Sequence, residues 1–459
     1  MRKFLAVLVL LFFLPTVSIA KDESPTFLKY DKCSSVYGGA GKCWERAKGY
    51  FHALGYRGTL YDMEFAYLGD LGYTGTLWDR WNAFLGAQGA TGSIRDRFAG
   101  TWSLGDTLWA TFSDPSNPLA LLKGTGSLSF TRATTATYIH PTTGLITSAA
   151  SGQLRIESNG ALIEGARTNI ALQSEVLGTT WAASSVTIAN DDAVAPDGAS
   201  TAERLTASGA NGTLLQSVTG TAAAYTFSIY LKRLTGTGNV DVRADNTTWS
   251  TCTINASTWT RCPVTATLAD NTYAPGVRIV TSGDAVYAFG GQMEAGASAS
   301  SYITTTIAAV TRNVDLLSFS KSGNVSDTAG TIVASVGSTN GTGATSYTGI
   351  IMNSATQPLS IYQITKLYSY DGTTELTTEM GLEQGVHRDV GLKWSGTSRY
   401  FGAKGALSAA LAFDGNMGFE NTLYIGVEGD GQFALNGHIK NLRIWNRALG
   451  DAEMIAVTQ

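Results

Sequence analysis

One stretch of the chain, Tyr287–Phe319, constrains the fold more than any other, because strand-like alternation of apolar and polar residues ends in its first half and resumes in its second. The alternation ends at Gly290-Gly291, where a strand can bend or bulge because glycine has no Cβ to clash. Small and hydroxyl residues fill 295–306, and alternation resumes at Val314. The sequence therefore predicts two β-rich modules that join at this stretch.

The composition also favours β structure. Only 15% of the residues are charged and 52 of 459 are glycine, a mixture that suits short strands and turns better than long helices. The length predicts two to four domains, and 44% hydrophobic residues exclude global disorder. The formal net charge of −4 gives no broad electrostatic reason to bind nucleic acid or another polyanion, so no nucleic-acid partner is expected.

Residues 1–20 have the pattern of a secretory signal peptide. Arg2-Lys3 give a positive start, Phe4–Leu14 form an apolar core, and Ser18-Ile19-Ala20 form a small-residue cleavage site. The apolar core spans eleven residues, whereas a transmembrane helix needs roughly 18 or more. We therefore expect cleavage after Ala20 and export of the mature chain.

The four cysteines form two pairs, each ten residues apart: Cys33 with Cys43, and Cys252 with Cys262. There is no CxxC motif, so zinc or thioredoxin-like chemistry is not indicated. The second pair lies symmetrically about Ser257, which predicts the facing strands of a hairpin with the sulfurs in bridging range. Two disulfides are predicted, and buried free thiols are the alternative.

The region 21–112 contains an internal repeat with a period of 17 residues. The octamer at Gly55–Asp62 recurs at Gly72–Asp79 and, more weakly, at Gly89–Asp96. Each copy has a hydroxyl residue followed three positions later by Asp, as in a capping box, and an apolar helical face follows it. We predict a disulfide loop and three short stacked helices, a scaffold without catalytic residues.

The rest of the chain has the patterns of strands. The segment 113–169 begins with two Pro dipeptides that break helices and then alternates, which predicts a β-rich linker. Residues 170–306 and 312–459 each contain alternating runs separated by turn clusters. The predicted strands of the first of these regions include Tyr225–Leu231, Val240–Ala244, Val277–Val280 and Val286–Phe289. The predicted fold class is therefore mainly all-β, with two tandem β-sandwiches (jelly rolls) after a small N-terminal helical repeat domain.

The end of the chain gives the clearest local prediction. His438–Trp445 alternates, with Ile439, Leu442 and Ile444 pointing partly inward and Trp445 in the core. A short helix should follow, with Asp451 near its N-cap.

No constellation of catalytic residues is visible. None of the four histidines has a partner at a known spacing, and HExxH, GxSxG, Walker A and GxGxxG motifs do not occur. Glu375, Glu379 and Glu383 would align on a helix and suggest paired acids for glycoside hydrolysis. Their Thr-rich flanks favour an exposed strand instead, so no catalytic residue is predicted.

A sugar-binding site requires fewer groups than a catalytic site. It needs an exposed aromatic ring and polar side chains that form hydrogen bonds with the sugar hydroxyls. In the first sandwich, Trp249 and Tyr273 lie in two similar loop-like runs, DNTTWS and DNTYAP. The polar neighbours in these runs are Asp245, Asn246, Asp270 and Asn271. In the second sandwich, Trp394 and Tyr400 flank a turn. Aromatic residues that simply pack in the core or at its rim are the alternative for each of them.

Three motifs resemble those of tailed-phage fibre and receptor-binding proteins. They are FTRATTATYIHPTTGLI, ALIEGARTNIALQSE and the GGQMEAG…SSYITTT…AVTRN run at the joint. In that family the joint closes a galactose-binding-like, carbohydrate-binding jelly roll and begins a concanavalin A-like (laminin-G-like) sandwich. The order GVHRDVGLKWSG, LYIGVEGDG, FALNGHIKNLRIWNRALGDAEMIA also resembles the second module, and the likeness covers nearly all of 50–459.

The resemblance implies further features. Many relatives hold a structural Ca²⁺, for which Glu175, Asp197 and Glu294 are candidates by position, with solvated surface acids as the alternative. It also implies a bacterial surface glycan or receptor as partner, other virion proteins bound through the N-terminal region, and a homotrimer by analogy. The signal peptide departs from this pattern, because virion proteins normally assemble in the cytoplasm.

These observations predict a non-catalytic adhesion protein, secreted or virion-associated, that binds glycans or cell-surface receptors. Two alternatives stay open: a secreted polysaccharide-degrading glycosidase, and a structural fibre module without a ligand.

Overall fold

The computed structural model describes residues 106–458, apart from 113–118, 120, 339–346, 355, 363–364, 381–382 and 384–385. The predicted signal peptide, the helical repeats and the Cys33–Cys43 disulfide lie outside these residues. Thr107–Leu449 forms one compact unit together with Thr458, and the C-terminal helix belongs to a second unit. Within the described part of the chain, no helix is both long and apolar enough to cross a membrane.

The described chain is mainly β, as predicted, and its elements are numbered here in chain order. Those before the jelly roll are β1 (Asp106–Thr111), β2 (Leu121–Lys123), β3 (Ser129–Thr131), β4 (Ala136–Ile139), β5 (Ile146–Ala149), β6 (Arg155–Glu157), β7 (Gly160–Ile163) and β8 (Arg167–Asn169). Those of the jelly roll are α1 (Leu177–Thr180), β9 (Ala182–Ser184), β10 (Val186–Ala193), β11 (Ala202–Ala207), β12 (Gly212–Leu215), β13 (Val218–Gly220), β14 (Ala223–Thr235), β15 (Val240–Arg243), β16 (Ser250–Thr251), β17 (Thr260–Leu268), β18 (Asn271–Tyr273), β19 (Gly276–Ile279) and β20 (Ala285–Ala295). Those that follow are β21 (Val310–Arg312), β22 (Leu316–Ser320), β23 (Ala329–Ser338), β24 (Tyr347–Met352), β25 (Leu359–Tyr362), β26 (Lys366–Tyr370), β27 (Glu375–Glu379), β28 (Arg388–Ser395), β29 (Ser398–Ala403), β30 (Ala406–Leu407), β31 (Leu411–Ala412), β32 (Thr422–Ile425), β33 (Gly437–Trp445) and α2 (Asp451–Val457).

The jelly roll consists of two five-stranded sheets. Sheet I has the order β10-β11-β20-β14-β17, and sheet II has the order β16-β15-β19-β12-β9. Alternation on β14 explains the packing: Phe227, Ile229 and Leu231 are fully buried in the core between the sheets, and the residues between them lie on the opposite face of sheet I. The four strands predicted in this region correspond to β14, β15, β19 and β20.

The predicted bend at Gly290-Gly291 is a β-bulge. Ser228 pairs with Gln292 and Tyr230 with Phe289, so the two glycines oppose a single residue of β14. Gly290 has a positive φ of 69°, and a Cβ at Gly291 would lie 2.7 Å from the ring of Trp181. Glycine is therefore required at both positions.

The second sandwich packs a ten-stranded sheet III against a seven-stranded sheet IV. The main path of sheet III is β2-β1-β33-β23-β28-β29-β30, with β31, β6 and β7 joined to it, and the order of sheet IV is β27-β26-β25-β24-β32-β22-β3. Trp445 is fully buried on β33, and Ile439, Leu442 and Ile444 belong to the core, as predicted. The predicted terminal helix corresponds to α2.

Strands from the segment predicted as a linker belong to this second sandwich. β3 pairs with β22, and β7 pairs with β33. All four residues of β7 are buried, and a Cβ at Gly160 would lie 2.3 Å from the carbonyl oxygen of Ile439. A strand buried on both faces needs a sheet partner and cannot stand alone as a linker. The jelly roll is thus inserted into the second sandwich, which two separate segments of the chain build.

The predicted disulfide between Cys252 and Cys262 is confirmed, with a Cα–Cα distance of 5.8 Å. The predicted hairpin is wrong, because β16 pairs with β15 whereas β17 pairs with β14. The segment between the cysteines crosses from sheet II to sheet I, and the Asn255 side chain holds its turn by accepting hydrogen bonds from the N–H groups of Ser257 and Thr258, both at 2.8 Å. The disulfide therefore links the two sheets of the jelly roll.

A buried ionic network occupies the joint between the two sandwiches. Arg132 lies 2.9 Å from Asp315, Arg155 lies 2.7 Å from Glu164 and also contacts Asp315, and Arg312 lies 3.6 Å from Glu164. Four of these five residues lie in or beside the three motifs quoted above. Burial disfavours the charge of Glu164, but Arg312, Arg155 and hydrogen bonds from Ser301 outweigh it and hold the pKa of Glu164 far below its usual range.

Candidate functional site

The outer face of sheet II carries a charged and aromatic cluster. Asp241 on β15 pairs with Arg278 on β19, and Arg243 pairs with Gly276. Because Val240, Val242, Val277 and Ile279 fill the core, the charged residues between them point outward. Trp249 lies just before β16 and beside Arg243, on this outer face. We call Asp241, Arg243, Trp249 and Arg278 the Trp249 face.

The indole of Trp249 is half-buried and lies against two guanidinium groups. The central guanidinium carbons of Arg243 and Arg278 are 4.6 Å and 4.7 Å from its ring centroid. Cation–π contacts of this kind hold an aromatic ring flat against a surface. They leave a fixed, partly exposed aromatic group beside several N–H donors.

The two arginines are held differently. Arg278 forms an ion pair with Asp241 at 2.6 Å, and the Thr251 hydroxyl donates to the other oxygen of Asp241 at 2.7 Å. Arg243 donates to the carbonyl oxygens of Ala274 and Asn246, both at 2.9 Å, and forms no ion pair with a carboxylate of the described residues. Arg243 is therefore the cation of this face whose charge has the weakest local compensation.

The two loops predicted from the DNTTWS and DNTYAP runs meet beside this face. The Asn246 amide donates to the carbonyl oxygen of Thr272 at 3.0 Å and accepts from the N–H of Ala274 at 2.9 Å. Asp245 accepts from the N–H of Thr248 at 2.7 Å, and such hydrogen bonds outweigh burial and lower the pKa of Asp245. The Tyr273 hydroxyl donates to the carbonyl oxygen of Ala269 at 2.7 Å.

The structure thus brings together the two loops that carry the residues predicted for the jelly roll, but it gives these residues different contacts. Asp245, Asn246 and Tyr273 hold the loops, whereas Trp249 offers its ring. Sequence reasoning missed Asp241, Arg243 and Arg278. Their signal was a charged residue at alternate positions of two otherwise apolar strands, VDVR and GVRI.

The residues predicted for the second sandwich do not form a site. Trp394 is fully buried, packs on Phe419 and donates from its indole N–H to the carbonyl oxygen of Ser326 at 3.2 Å, so it is a core residue. Tyr400 pairs with Lys393, the residue before Trp394, and therefore lies on the opposite face of the sheet. The Lys393 ammonium lies 4.9 Å from the Tyr400 ring centroid.

The structure gives each of the three predicted Ca²⁺ ligands local hydrogen-bond donors. Glu294 is buried and accepts from the Gln292 amide at 2.6 Å and from the N–H of Ser300 at 2.8 Å. Glu175 accepts from the Tyr302 hydroxyl at 3.0 Å, and Asp197 accepts from the N–H of Ala199 at 2.9 Å. Among the residues described, no group of three or more His, Cys, Asp or Glu side chains could hold a metal ion.

Of the acids at 375, 379 and 383, the first two have the predicted strand environment. Glu375 and Glu379 are exposed at the two ends of β27, and Glu379 lies 3.3 Å from Lys366 of the neighbouring strand. Glu383 follows in a loop and pairs with Arg388 at 3.2 Å. The interpretation as an exposed strand face is confirmed for β27.

Two buried carboxyl groups were not predicted from the sequence. Glu203 on β11 is 1% exposed, and burial raises its pKa to about 7, with the charge of Asp191 adding to the shift. Glu428 is 2% exposed and accepts a hydrogen bond from Gln357; burial raises its pKa to about 7, and Asp430 adds to the shift. Glu203 lies in a strand without a motif, and the motif that contains Glu428 does not mark it as buried, so no local pattern distinguishes them.

Comparison with solved structures gives partial likenesses. The CBM22-1 xylan-binding domain of Paenibacillus barcinonensis Xyn10C is 13% identical over 29% of this chain and 94% of that domain, with a TM-score of 0.23. Domain 4 of AbnA, a GH43 extracellular arabinanase of Geobacillus stearothermophilus, is 15% identical over 35% and 82%, with a TM-score of 0.26. A Trypanosoma rangeli sialidase mutant with trans-sialidase activity is 16% identical over 28% of this chain, with a TM-score of 0.23, and the match spans only 22% of the sialidase.

No family model matches the chain, and no curated protein matches its sequence.

Proposed function

We propose that the protein is a non-catalytic adhesion protein that binds glycans, and that the Trp249 face is its saccharide site. A pyranose ring has apolar C–H faces that stack on an aromatic plate, and its hydroxyl groups accept hydrogen bonds from guanidinium groups. The Trp249 face offers both groups on the open side of a sheet.

The observation that carries this proposal is the fixation of Trp249. Its ring lies against two guanidinium groups, and each of these is itself held, Arg278 by Asp241 and Arg243 by two carbonyl oxygens. A group that is immobile before binding loses little conformational entropy when the ligand arrives, so a shallow site can still give useful affinity.

The finer form of the proposal is a fibre or receptor-binding protein of a tailed phage, secreted or virion-associated, whose partner is a bacterial surface glycan. Its support is the resemblance of the three motifs, together with the position of their charged residues in the buried network at the joint. Attachment to other virion proteins through the N-terminal region and assembly as a homotrimer belong to this finer proposal.

Substitution Trp249→Ala tests the site. On a bacterial glycan array, the full chain should bind a subset of saccharides, and the variant should lose most of that binding, about tenfold or more in affinity, because the stacking plate is gone.

The matched control is Tyr370→Ala, which removes a half-buried aromatic residue from β26 of the other sandwich. It should leave glycan binding unchanged. Equal binding by the wild type and a folded Trp249→Ala variant would refute the Trp249 face as the site.

A second candidate function, glycoside hydrolysis, has one observation in its favour. Burial raises the pKa of Glu428 to about 7, so its carboxyl group is partly protonated at neutral pH, as a general acid requires, and the exposed carboxylate of Asp430 lies beside it. Release of reducing ends from a bound polysaccharide, abolished by Glu428→Gln, would establish this function and contradict the non-catalytic proposal.

A further inference from the structure

The outer face of sheet I, on the other side of the jelly roll, carries a separate row of cationic and aromatic residues. Arg204 on β11 pairs with Tyr287 on β20, and Tyr287 pairs with Lys232 on β14. Trp259 directly precedes Thr260, the residue of β17 that pairs with Leu231, so it continues the row beside Lys232. All four side chains are half-buried. We call them the Lys232 row.

Contacts within the row fix the lysine between two rings. The Lys232 ammonium lies 5.0 Å from the ring centroid of Trp259 and 5.5 Å from that of Tyr287. The Trp259 indole N–H donates to the carbonyl oxygen of Val194 at 3.2 Å, which sets the plane of the ring. Lys232 forms no ion pair with a carboxylate of the described residues. Its charge is therefore positioned by aromatic rings and left without an anionic partner.

The row borders a part of the same face that is already covered. Phe289, Tyr302 and Ile146 are buried together there, and Tyr230 and Trp259 pack against them. Beside the row, Val194 is 55% exposed. The half-buried side chains of the row thus form a strip of this face beside the covered cluster that solvent still reaches in part.

Charge complementarity indicates what would occupy this strip. The row contains two cations, and the exposed carboxylate of Asp192, 3.5 Å from Arg204, compensates one of them. Lys232 therefore carries the positive charge of the strip that has no anionic partner among the described residues, although the whole chain carries a formal charge of −4. A carboxylate of a sugar could bond to Lys232 while the adjacent pyranose face rests on Trp259 or Tyr287.

We propose that the Lys232 row is a second saccharide site, specific for sugars that carry a carboxylate, such as uronic acids. It lies on the sheet opposite the Trp249 face and binds independently of it. The jelly roll can therefore hold two glycan segments at once, one on each face, and avidity would follow where a surface presents both.

Isothermal titration of the full chain with tetragalacturonate, and with the same oligosaccharide after methyl esterification, tests the proposal. The acidic form should bind about tenfold or more tightly than the ester, because a charge-assisted hydrogen bond to Lys232 is lost on esterification. Lys232→Gln should weaken binding of the acidic form by about the same factor and leave the ester unaffected, whereas Lys232→Arg should retain the preference.

Lys440→Gln is the matched control, because it removes an equal charge from an exposed position on β33 of the other sandwich. It should bind tetragalacturonate like the wild type. Trp259→Ala should weaken binding of both forms, since the stacking surface serves both.

The failure of this proposal is distinguishable from failure of the Trp249 proposal. Loss of tetragalacturonate binding in Trp249→Ala but not in Lys232→Gln would overturn the second site and leave the first intact. Loss in Lys232→Gln with full retention in Trp249→Ala would establish the second site on its own. Equal affinity for the acidic and esterified forms, or no binding of either by the wild type, would overturn the second site.

Discussion

Glu203 is a single buried residue that lowers the free energy of unfolding of the jelly roll when its carboxyl group ionises. It pairs with Ala288 in sheet I and points toward the core, where one of its carboxylate oxygens has no hydrogen-bond partner among the described residues. Burial is the largest cause of its raised pKa of about 7, and the charge of Asp191 adds to it, while the N–H of Leu177 opposes it. The folded protein therefore favours the protonated form of Glu203.

The pH dependence follows from that direction. Below the ordinary pKa of 4.5 the carboxyl is protonated in both states and costs nothing, but between pH 4.5 and about 7 the unfolded chain ionises first, so stability falls. Glu203→Gln should therefore leave the free energy of unfolding unchanged at pH 4 and raise it by roughly 3 kcal/mol at pH 8. Urea denaturation at both pH values measures this.

Glu379→Gln serves as control, because Glu379 is exposed on β27. It should change stability by less than about 0.5 kcal/mol at either pH. A Glu203→Gln variant with the same stability as the wild type at pH 8 would show that the carboxyl is not raised in pKa.

The environment of a single residue could be predicted from the sequence only where a local pattern of residues indicates it. The paired DNT runs predicted that Trp249 lies in a loop-like segment, and the structure has its ring half-buried at the outer face of sheet II, because loops rich in Asp and Asn expose their neighbours. Trp394, like Trp249, is a tryptophan beside a turn. It is nevertheless fully buried, because its strand lies within the sandwich core. A strand pattern alone does not reveal which of its faces a second sheet will cover.

At the scale of elements, the alternation of apolar and polar residues predicted where strands lie but not which strands pair with each other. The hydrophobic runs at β14, β15, β19 and β20 were located because strand periodicity is local. The pairing of β7 with β33 joins residues more than 270 positions apart, for example Leu162 with His438, and no local pattern encodes such a contact. For the same reason the sequence placed Cys252 and Cys262 on one hairpin although they belong to different sheets.

This placement changes what the disulfide is expected to do. It fixes the crossing between the sheets at Cys252, which directly follows β16 and lies three residues after Trp249. The double substitution Cys252→Ser and Cys262→Ser should lower the free energy of unfolding by about 2–3 kcal/mol, because the unfolded chain regains the entropy of a short closed loop. Denaturation of the wild type in the presence and absence of a reductant measures the same quantity.

The control is reductant added to the double variant, which should have no effect on its stability. A wild type whose unfolding midpoint does not move on full reduction would contradict a stabilising role for this bond.

At the scale of the whole molecule, the inserted jelly roll is tied to its host sandwich by buried charge. Ser301 follows the jelly roll and donates to Glu164 from its N–H at 2.8 Å and from its hydroxyl at 2.7 Å, while Glu164 itself follows β7 of sheet III. Arg155 and Arg312 approach the same carboxylate from two further segments. Residues from two distant parts of the chain, 155–164 and 301–312, thus converge on one buried anion, which makes the mutual positions of these two parts depend on its charge.

Glu164→Gln should therefore destabilise the protein by about 3–5 kcal/mol at pH 7, because two buried guanidinium groups lose a counter-charge. The pKa of Glu164 is lowered in the folded state, so its contribution is complete above the unfolded pKa of 4.5 and is lost as the pH falls below that value. The difference between wild type and variant should shrink by roughly 2 kcal/mol between pH 7 and pH 3.

The surface pair of Arg204 with Asp192, at 3.5 Å, provides the comparison. Asp192→Asn should lower the free energy of unfolding by less than about 1 kcal/mol, because water screens an exposed pair. Its effect should be independent of the buried ionic network at the joint. If Glu164→Gln were equally mild, the buried network would not be what holds the two sandwiches in place. The backbone pairing of β8 with β21, which lie on either side of the jelly roll in the chain, would then have to fix their arrangement without it.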